Sequence, residues 1–227
     1  MQSEETFLKY VPIFTDLPND IIEKIDKIGK RKTYSKDEPI LLEEDSGTAL
    51  FVIISGKVKV SRSSSDGREV ILTILGESDF FGEMAILDGL ARSANVIATE
   101  KSDVFVLRRN DFLNLLETHT EVAITLLQEL TTRLRNADMK IKALSLKDSE
   151  GKVATVLLQI AEYSGVIKQG VVEIEKLPIQ QDLANMAGTS RETISRTLHA
   201  FAKRGLVELD GMKLRILDFT KFKKIFE

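Results

Sequence analysis

The sequence contains no cysteine and no tryptophan, and only two histidines and four prolines among its 227 residues. Without cysteine the chain can form no disulfide, no cysteine-based zinc site and no iron–sulfur cluster. The histidines, His119 and His199, lie far apart and have no partner at ligand spacing, so we predict no metal site. No apolar run approaches the roughly 18 residues of a membrane span, so we expect no membrane partner.

Residues 1–5 are acidic and lack the basic and apolar stretches of a leader peptide, which predicts a cytoplasmic protein. The net charge of −3 is uneven, with 20 Lys and Arg against 25 Asp and Glu in residues 1–149 and 12 against 10 in residues 150–227. The mildly basic C-terminal third is compatible with a nucleic-acid surface and equally with chance variation.

Short apolar runs separated by Gly, Asp and Ser occupy the sequence from residue 31 to residue 108; examples are 50–54, 70–75 and 104–107. Six to eight strands at this spacing predict a β-barrel or jelly roll. Apolar residues before this region indicate short packed helices, and we assign residues 1–110 to a first domain.

After residue 111 the periodicity becomes helical, and apolar residues at alternating spacings of three and four form a heptad seam. The helix should run from about residue 121 to residue 146, roughly 40 Å. Such a narrow seam favours a parallel homodimer, and packing on the barrel is the alternative. We assign residues 111–147 to this dimerisation helix and a hinge. The seam consists of Leu127, Leu130, Leu134, Ala137, Ile141 and Leu144.

The segment 80–94 interrupts the strand pattern with side chains suited to a sugar and a phosphate. Gly82 allows close backbone approach, the Glu83 carboxylate can accept hydrogen bonds from a sugar hydroxyl, and the Arg92 guanidinium can bind two phosphate oxygens. The Ser93 hydroxyl and free backbone N–H groups can complete the anion cradle. The segment therefore predicts binding of a small phosphorylated nucleotide. Its further candidate contacts are Phe81, Met84, Ala85 and Ala94.

The stretch 179–198 has the layout of a helix-turn-helix, and residues 205–216 resemble a β-hairpin wing, so we assign residues 148–227 to a winged DNA-binding domain. Gly188 supplies the turn, and Thr189 or Ser190 caps the second helix. The first turns of such a helix meet base edges in the major groove. The candidate DNA contacts are Gln180, Thr189, Ser190, Arg191, Glu192, Ser195 and Arg196.

The exposed residues of that second helix also have a purely structural interpretation. Glu192 can close a capping box with Thr189, and Arg196 can be a solvated surface charge. The DNA-binding interpretation rests on the whole pattern of turn glycine, capped helix, basic face and wing. Arginine then pairs with guanine O6 and N7, and glutamate accepts from cytosine N4.

Gly82-Glu83 followed by Arg92-Ser93-Ala94, and the helix 190–196, together resemble the cyclic-AMP receptor protein (Crp/Fnr) family of transcription regulators. The resemblance implies an α+β fold with an N-terminal cyclic-nucleotide-binding β-barrel, a long dimerisation helix and a C-terminal winged helix-turn-helix. It implies that Glu83 holds the ribose 2′-hydroxyl and that Arg92 and Ser93 neutralise the cyclic phosphate.

The same resemblance implies the partners of the protein. They are cyclic AMP as effector, double-stranded DNA with a TGTGA-like half-site read by Arg191, Glu192 and Arg196, a second copy of the chain, and RNA polymerase. No enzyme activity is expected, because no nucleophile–base pair or metal set stands out.

Two positions depart from the family pattern. Ala137-Asp138 stands where cyclic-AMP receptors offer Thr-Ser to adenine, and Asp138 can accept from the amino group of adenine or from guanine N1 and N2, so cyclic GMP stays an alternative. Ile179 stands where relatives often carry a phosphate-contacting arginine.

Two further hypotheses for the function remain open. One is a constitutive DNA binder in which Glu83 and Arg92 form a structural pair, and the other is a regulatory subunit of a kinase or channel.

Overall fold

The computed structural model describes residues 7–226. The chain divides into two compact units, one ending at Arg133 and the other beginning at Leu134. The expectation based on residues 1–5 lies outside the described residues. Within them no helix is long and apolar enough to cross a membrane. Nor does the described part hold a group of three or more His, Asp or Glu placed to bind a metal.

The first unit is built on two four-stranded antiparallel sheets, with strand orders β1-β8-β3-β6 and β2-β7-β4-β5. The prediction of six to eight strands is confirmed, and they form two facing sheets rather than one closed barrel. The strands are β1 Lys30–Tyr34, β2 Pro39–Leu41, β3 Ala49–Ser55, β4 Val58–Ser63, β5 Glu69–Leu75, β6 Phe80–Phe81, β7 Asn95–Ala98 and β8 Ser102–Arg108.

One apolar cluster fills the space between the two sheets, where Phe51 and Phe81 stack with ring centroids 5.1 Å apart. A second cluster covers the other face of the β3–β8 sheet with the N-terminal helices and the start of the long helix. Because both faces of β3 are covered, five successive residues from Ala49 to Ile53 are buried. The helices of this unit are two short 3₁₀ turns, Phe7–Tyr10 and Pro12–Phe14, then α1 Asn19–Ile28, α2 Glu83–Leu87 and α3 Arg109–Thr118.

The long helix α4 spans Thr120–Leu146, as the heptad pattern predicts, and the boundary between the units falls within it. Leu127, Leu134 and Ile141 are each more than 60% exposed. Leu130 instead packs against the core of the first unit, and in the second unit Leu144 is partly buried, with its Cδ2 3.0 Å from where a Cβ at residue 188 would lie. The apolar row that stays exposed therefore begins at Ile124 and continues through Leu127, Leu134 and Ile141.

Among its described residues the second unit contains the end of α4, four further helices and a sheet of strand order β11-β12-β10-β9. Asp148 caps α5 by accepting from the Gly151 N–H at 2.8 Å. The predicted wing is confirmed as the β11–β12 hairpin. The elements are α5 Ser149–Ser164, β9 Val166–Lys168, β10 Val171–Ile174, α6 Gln180–Ala187, α7 Arg191–Lys203, β11 Val207–Asp210, β12 Lys213–Ile216 and α8 Phe219–Phe226.

Candidate functional site

The predicted nucleotide cradle lies where β6 turns into α2. Gly82 makes this turn with φ of 86°, in the left-handed region that favours glycine. A Cβ at this position would also lie 2.7 Å from Nη1 of Arg92. Backbone conformation and space therefore both require glycine, and the short turn brings Arg92 against the start of α2.

Arg92 is only 4% exposed, which is unusual for an arginine. Its Nη1 donates to the Gly82 oxygen at 2.6 Å and its Nη2 to the Ala49 oxygen at 2.9 Å. Its Nε is buried without a partner among the described residues. Burial lowers the pKa of this guanidinium, and the negative charges of Glu83 and Asp45 partly offset that effect.

The charge of Arg92 is therefore buried and hydrogen-bonded to neutral carbonyls. Among residues 7–226 no carboxylate forms an ion pair with Arg92. A guanidinium has five N–H donors, and two of them are used by the carbonyls. A buried cation with unused donors fits an anionic ligand, since an uncompensated buried charge is costly.

Glu83 is 4% exposed and is held by Arg133 of α4, a residue that the sequence analysis missed. Arg133 Nη1 lies 3.0 Å from Glu83 Oε1, and Nη2 donates to the Phe80 oxygen at 2.7 Å. The guanidinium also lies 4.4 Å from the centroid of the Phe80 ring. Glu83 thus pairs with Arg133, and the Glu83–Arg92 pair of the structural hypothesis is not formed. No local sequence pattern predicts a contact between two residues that are 50 positions apart.

The other predicted cradle residues surround this pair. Ser93 is exposed, and its hydroxyl lies 3.5 Å from the sulfur of Met84, which is also exposed. Phe81, Ala85 and Ala94 are buried. Asp138, the candidate for reading the base, is an exposed residue of α4 in the second unit.

The second candidate site is the exposed face of α7. Gly188 ends α6 with φ of 59°, and Ser190 caps α7 by accepting from the Thr193 N–H at 3.2 Å, so Ser190 rather than Thr189 is the cap. Arg191, Glu192 and Arg196 are all exposed, with Ser195 partly buried beside them.

The charged side chains on this face of α7 differ in whether they have partners within the protein. Hydrogen bonds with its own backbone N–H and with Ser190 lower the pKa of Glu192, so the carboxylate is held at the start of the helix. Within the described part of the chain neither Arg191 nor Arg196 forms an ion pair. Both guanidinium groups are available to an outside acceptor.

The cations of the wing are paired, in contrast to those of α7. Lys213 lies 2.5 Å from Glu175, and Arg215 lies 2.7 Å from Glu208 and 3.8 Å from Glu173. Hydrogen bonding and the charge of Glu175 raise the pKa of Lys213. At the start of α6, Ile179 is 61% exposed and Gln180 is the first helical residue. Of the wing and α7, it is therefore α7 that carries the arginines without an ion-pair partner.

Two family models match the chain: the cyclic nucleotide-binding domain over residues 31–119 and the Crp-like helix-turn-helix domain over residues 151–225. The chain is 36% identical to the cyclic AMP receptor protein of Thermus thermophilus, covering 89% of this chain and 90% of that relative. It is 32% identical to a CRP-like cAMP-activated global transcriptional regulator of Mycobacterium tuberculosis, covering 91% and 92% of the two chains. The chain belongs to the Crp/Fnr family.

Solved structures agree with this Crp/Fnr assignment. The catabolite activator protein of Thermus thermophilus is 33% identical, with a TM-score of 0.54 and coverage of 94% of this chain and 97% of that one. A mutant of CooA from Carboxydothermus hydrogenoformans, at 22% identity, shares the fold with a TM-score of 0.79 and coverage of 99% and 97%.

The chain is thus a Crp/Fnr-type cyclic-nucleotide-binding transcription regulator, and the resemblance identified from the two sequence motifs is confirmed. The relatives named above regulate transcription and are not enzymes. The Crp-like helix-turn-helix match over residues 151–225 favours a transcription regulator over the regulatory subunit of a kinase or channel.

Proposed function

We propose that the protein is a homodimeric transcription regulator that binds a palindromic TGTGA-like DNA site in response to cyclic AMP. The observation that carries the proposal is the buried Arg92 cation, which has unused donors and no carboxylate partner within the described residues. A cyclic phosphate carries one negative charge and supplies oxygen acceptors. It therefore matches what Arg92 lacks.

Glu83 and Arg133 form the sugar-binding part of the proposed site. The described contact of Arg133 uses only Oε1 of Glu83, so the carboxylate keeps acceptor capacity for the ribose 2′-hydroxyl. Arg133 acts as a positioning residue, because it fixes Glu83 and neutralises its buried charge. The exposed Ser93 hydroxyl adds a phosphate contact beside Arg92, and Phe81, Met84, Ala85 and Ala94 complete the surroundings of the ligand.

Dimerisation is proposed through α4 of a second copy of the chain. In the exposed apolar row, Leu127, Leu134 and Ile141 repeat every seven residues and Ile124 precedes Leu127 by three, which suits a parallel coiled coil. A groove of about 420 Å³ also opens on this face beside Ile124, Leu127 and Thr131. The seam predicted from the sequence also contains Leu130, Ala137 and Leu144. Ala137 is exposed, whereas Leu130 and Leu144 are partly buried within their own chain and support the dimer less directly.

The output is proposed to be DNA binding by α7. In a symmetric dimer the two copies of α7 would lie about 34 Å apart and read the half-sites of a palindrome through Arg191, Glu192 and Arg196. Gln180, Thr189, Ser190 and Ser195 supply polar contacts nearby. Relatives named as global transcriptional regulators support RNA polymerase as a further partner. DNA as the target supports a cytoplasmic location.

The link between the two sites is a shift between conformations. A ligand favours whichever conformation it binds more tightly, so the nucleotide must contact elements that move relative to one another. We propose that the segment 146–149, where α4 ends and α5 begins, is the hinge that responds.

The test is to measure affinity for a TGTGA palindrome by fluorescence anisotropy with and without cyclic AMP. We expect the nucleotide to tighten binding at least about tenfold, since coupling free energies are typically 1–3 kcal/mol. Sedimentation of the same sample should show a dimer. Equal affinity with and without every cyclic mononucleotide would contradict the proposed dependence.

Asp138 should decide which base is preferred. Calorimetry should compare the affinities of wild type and Asp138→Ala for cyclic AMP and for cyclic GMP. The substitution should weaken binding roughly five- to twentyfold for the nucleotide whose base donates to the carboxylate, and less for the other. Arg135→Ala, an exposed change three residues earlier in the same helix, is the control. Equal losses for both nucleotides would remove Asp138 from base recognition.

One observation favours a second candidate, a regulator whose DNA binding is independent of ligand. Arg92 is already held by two carbonyls and Glu83 by Arg133, so the cradle is ordered by contacts within its own unit. Calorimetry without detectable nucleotide binding, together with intact DNA binding, would favour this candidate.

A further inference from the structure

His199 lies on the exposed face of α7 and was not among the residues assigned to DNA. It follows Arg196 by three residues and precedes Lys203 by four, and all three are exposed. Spacings of three and four keep side chains on one face of a helix. Among residues 7–226 neither Arg196 nor Lys203 forms an ion pair, so the three residues form a row of groups open to an outside acceptor.

The ring of His199 has a defined orientation. Its Nδ1 lies 2.7 Å from the backbone oxygen of Ser195, one turn earlier in the helix. A carbonyl oxygen only accepts hydrogen bonds, so Nδ1 carries the hydrogen and Nε2 is the nitrogen left for an outside partner. In the neutral ring Nε2 is an acceptor; in the protonated ring it is a charged donor.

The distance along the helix indicates which partner Nε2 would meet. His199 follows Glu192 by seven residues, which is about 10 Å along the helix axis. The major groove is about 12 Å wide. If the start of α7 contacts base edges, a residue two turns later reaches the edge of the groove, where the phosphates lie. Phosphate oxygens only accept, so Nε2 must donate to them, and while Nδ1 keeps its hydrogen bond to Ser195 this requires the protonated ring.

Among the described residues, no charged group from the elements around α7 forms an ion pair or hydrogen bond with His199. The helix packs against α5, α6 and β11 and makes ring contacts with α8. Glu150 pairs with Arg204, Glu162 with Lys223 and Glu208 with Arg215. In the described chain the one polar contact of His199 is with Ser195. The charged residues on these elements are Glu150, Lys152 and Glu162 of α5, Asp182 of α6, Glu208 and Asp210 of β11, and Lys221, Lys223 and Lys224 of α8.

We propose that His199 binds a DNA phosphate in its protonated form, so that DNA binding takes up a proton and tightens as pH falls. The inference rests on the proposed DNA-binding function and extends the contact surface of α7 by about one turn beyond Arg196. Since a phosphate contact carries no sequence information, the effect should appear with any duplex.

The experiment measures affinity of the full-length protein, saturated with cyclic AMP, for a TGTGA palindrome and a scrambled duplex at about pH 5.8 and about pH 7.2. Burial lowers the pKa of Lys140 to about 8, so Lys140 titrates mainly above this range. We expect roughly tenfold tighter binding to both duplexes at the lower pH. The slope of log affinity against log salt should also steepen by about 1.8, since each neutralised phosphate contributes about 0.9 and a dimer has two His199.

His199→Gln should lose the pH response, and His199→Lys should bind tightly at both pH values. His119→Gln, which changes the other histidine of the chain, should keep the full response. The proposal is overturned if His199→Gln responds like wild type. It is also overturned if binding weakens at low pH or only the palindrome responds, because either result indicates a base contact. Absence of binding to the palindrome at any pH would instead overturn the proposed function.

Discussion

Replacing Arg92 with glutamine should weaken binding of cyclic AMP by roughly 100-fold or more, as measured by calorimetry. Truncating one partner of a buried charge pair costs about 2–5 kcal/mol, and each 1.4 kcal/mol is about tenfold in affinity. Arg92 is 4% exposed, so solvent screens its interaction with the phosphate only weakly. Glutamine removes the positive charge and keeps an N–H donor for one of the two carbonyls that Arg92 now binds.

The control is Arg68→Gln, which removes the same charge from the exposed turn between β4 and β5, where Arg68 pairs with Asp66. It should change nucleotide affinity less than about twofold, because exposed ion pairs contribute little. Thermal unfolding of both variants tests whether the fold is kept. If folded Arg92→Gln binds the nucleotide like wild type, the cradle does not neutralise a phosphate, and the ligand-independent candidate gains support.

Replacing Arg196 with alanine should weaken binding to the TGTGA palindrome by roughly 30-fold to more than 1,000-fold. One bidentate contact to guanine contributes about 1–3 kcal/mol of discrimination, and a symmetric dimer loses two of them. Affinity for a scrambled duplex should fall much less, so the ratio of specific to non-specific affinity should collapse. Anisotropy titrations with both duplexes at one salt concentration give that ratio directly.

Arg204→Ala provides a matched control at the end of the same helix. Arg204 is exposed like Arg196 but forms an ion pair with Glu150. Its removal should therefore change specific affinity less than about threefold. If both variants lose the same affinity for the palindrome, Arg196 contributes only non-specific electrostatic attraction to DNA. Base recognition would then have to be assigned to other residues of α7.

Local patterns made much of the fold predictable. The strand runs and the heptad periodicity of α4 each depend on residues close together in sequence. Gly82 and Gly188 mark turns because both backbones adopt positive φ, which glycine accepts at little cost. The choice between Thr189 and Ser190 as the cap of α7 could not be predicted, because neighbouring hydroxyls have nearly equal preference for that position.

The sequence by itself determined the order of the elements, the two motifs and the family to which they belong, since each is a pattern of neighbouring residues. Only the tertiary structure decided that Arg133 binds Glu83, that Arg92 donates to the carbonyls of Gly82 and Ala49, and that Leu130 is partly buried. These contacts join residues that are distant in sequence. Periodicity and propensity describe only local geometry, so they cannot specify which long-range partner a buried charge or an apolar side chain will meet.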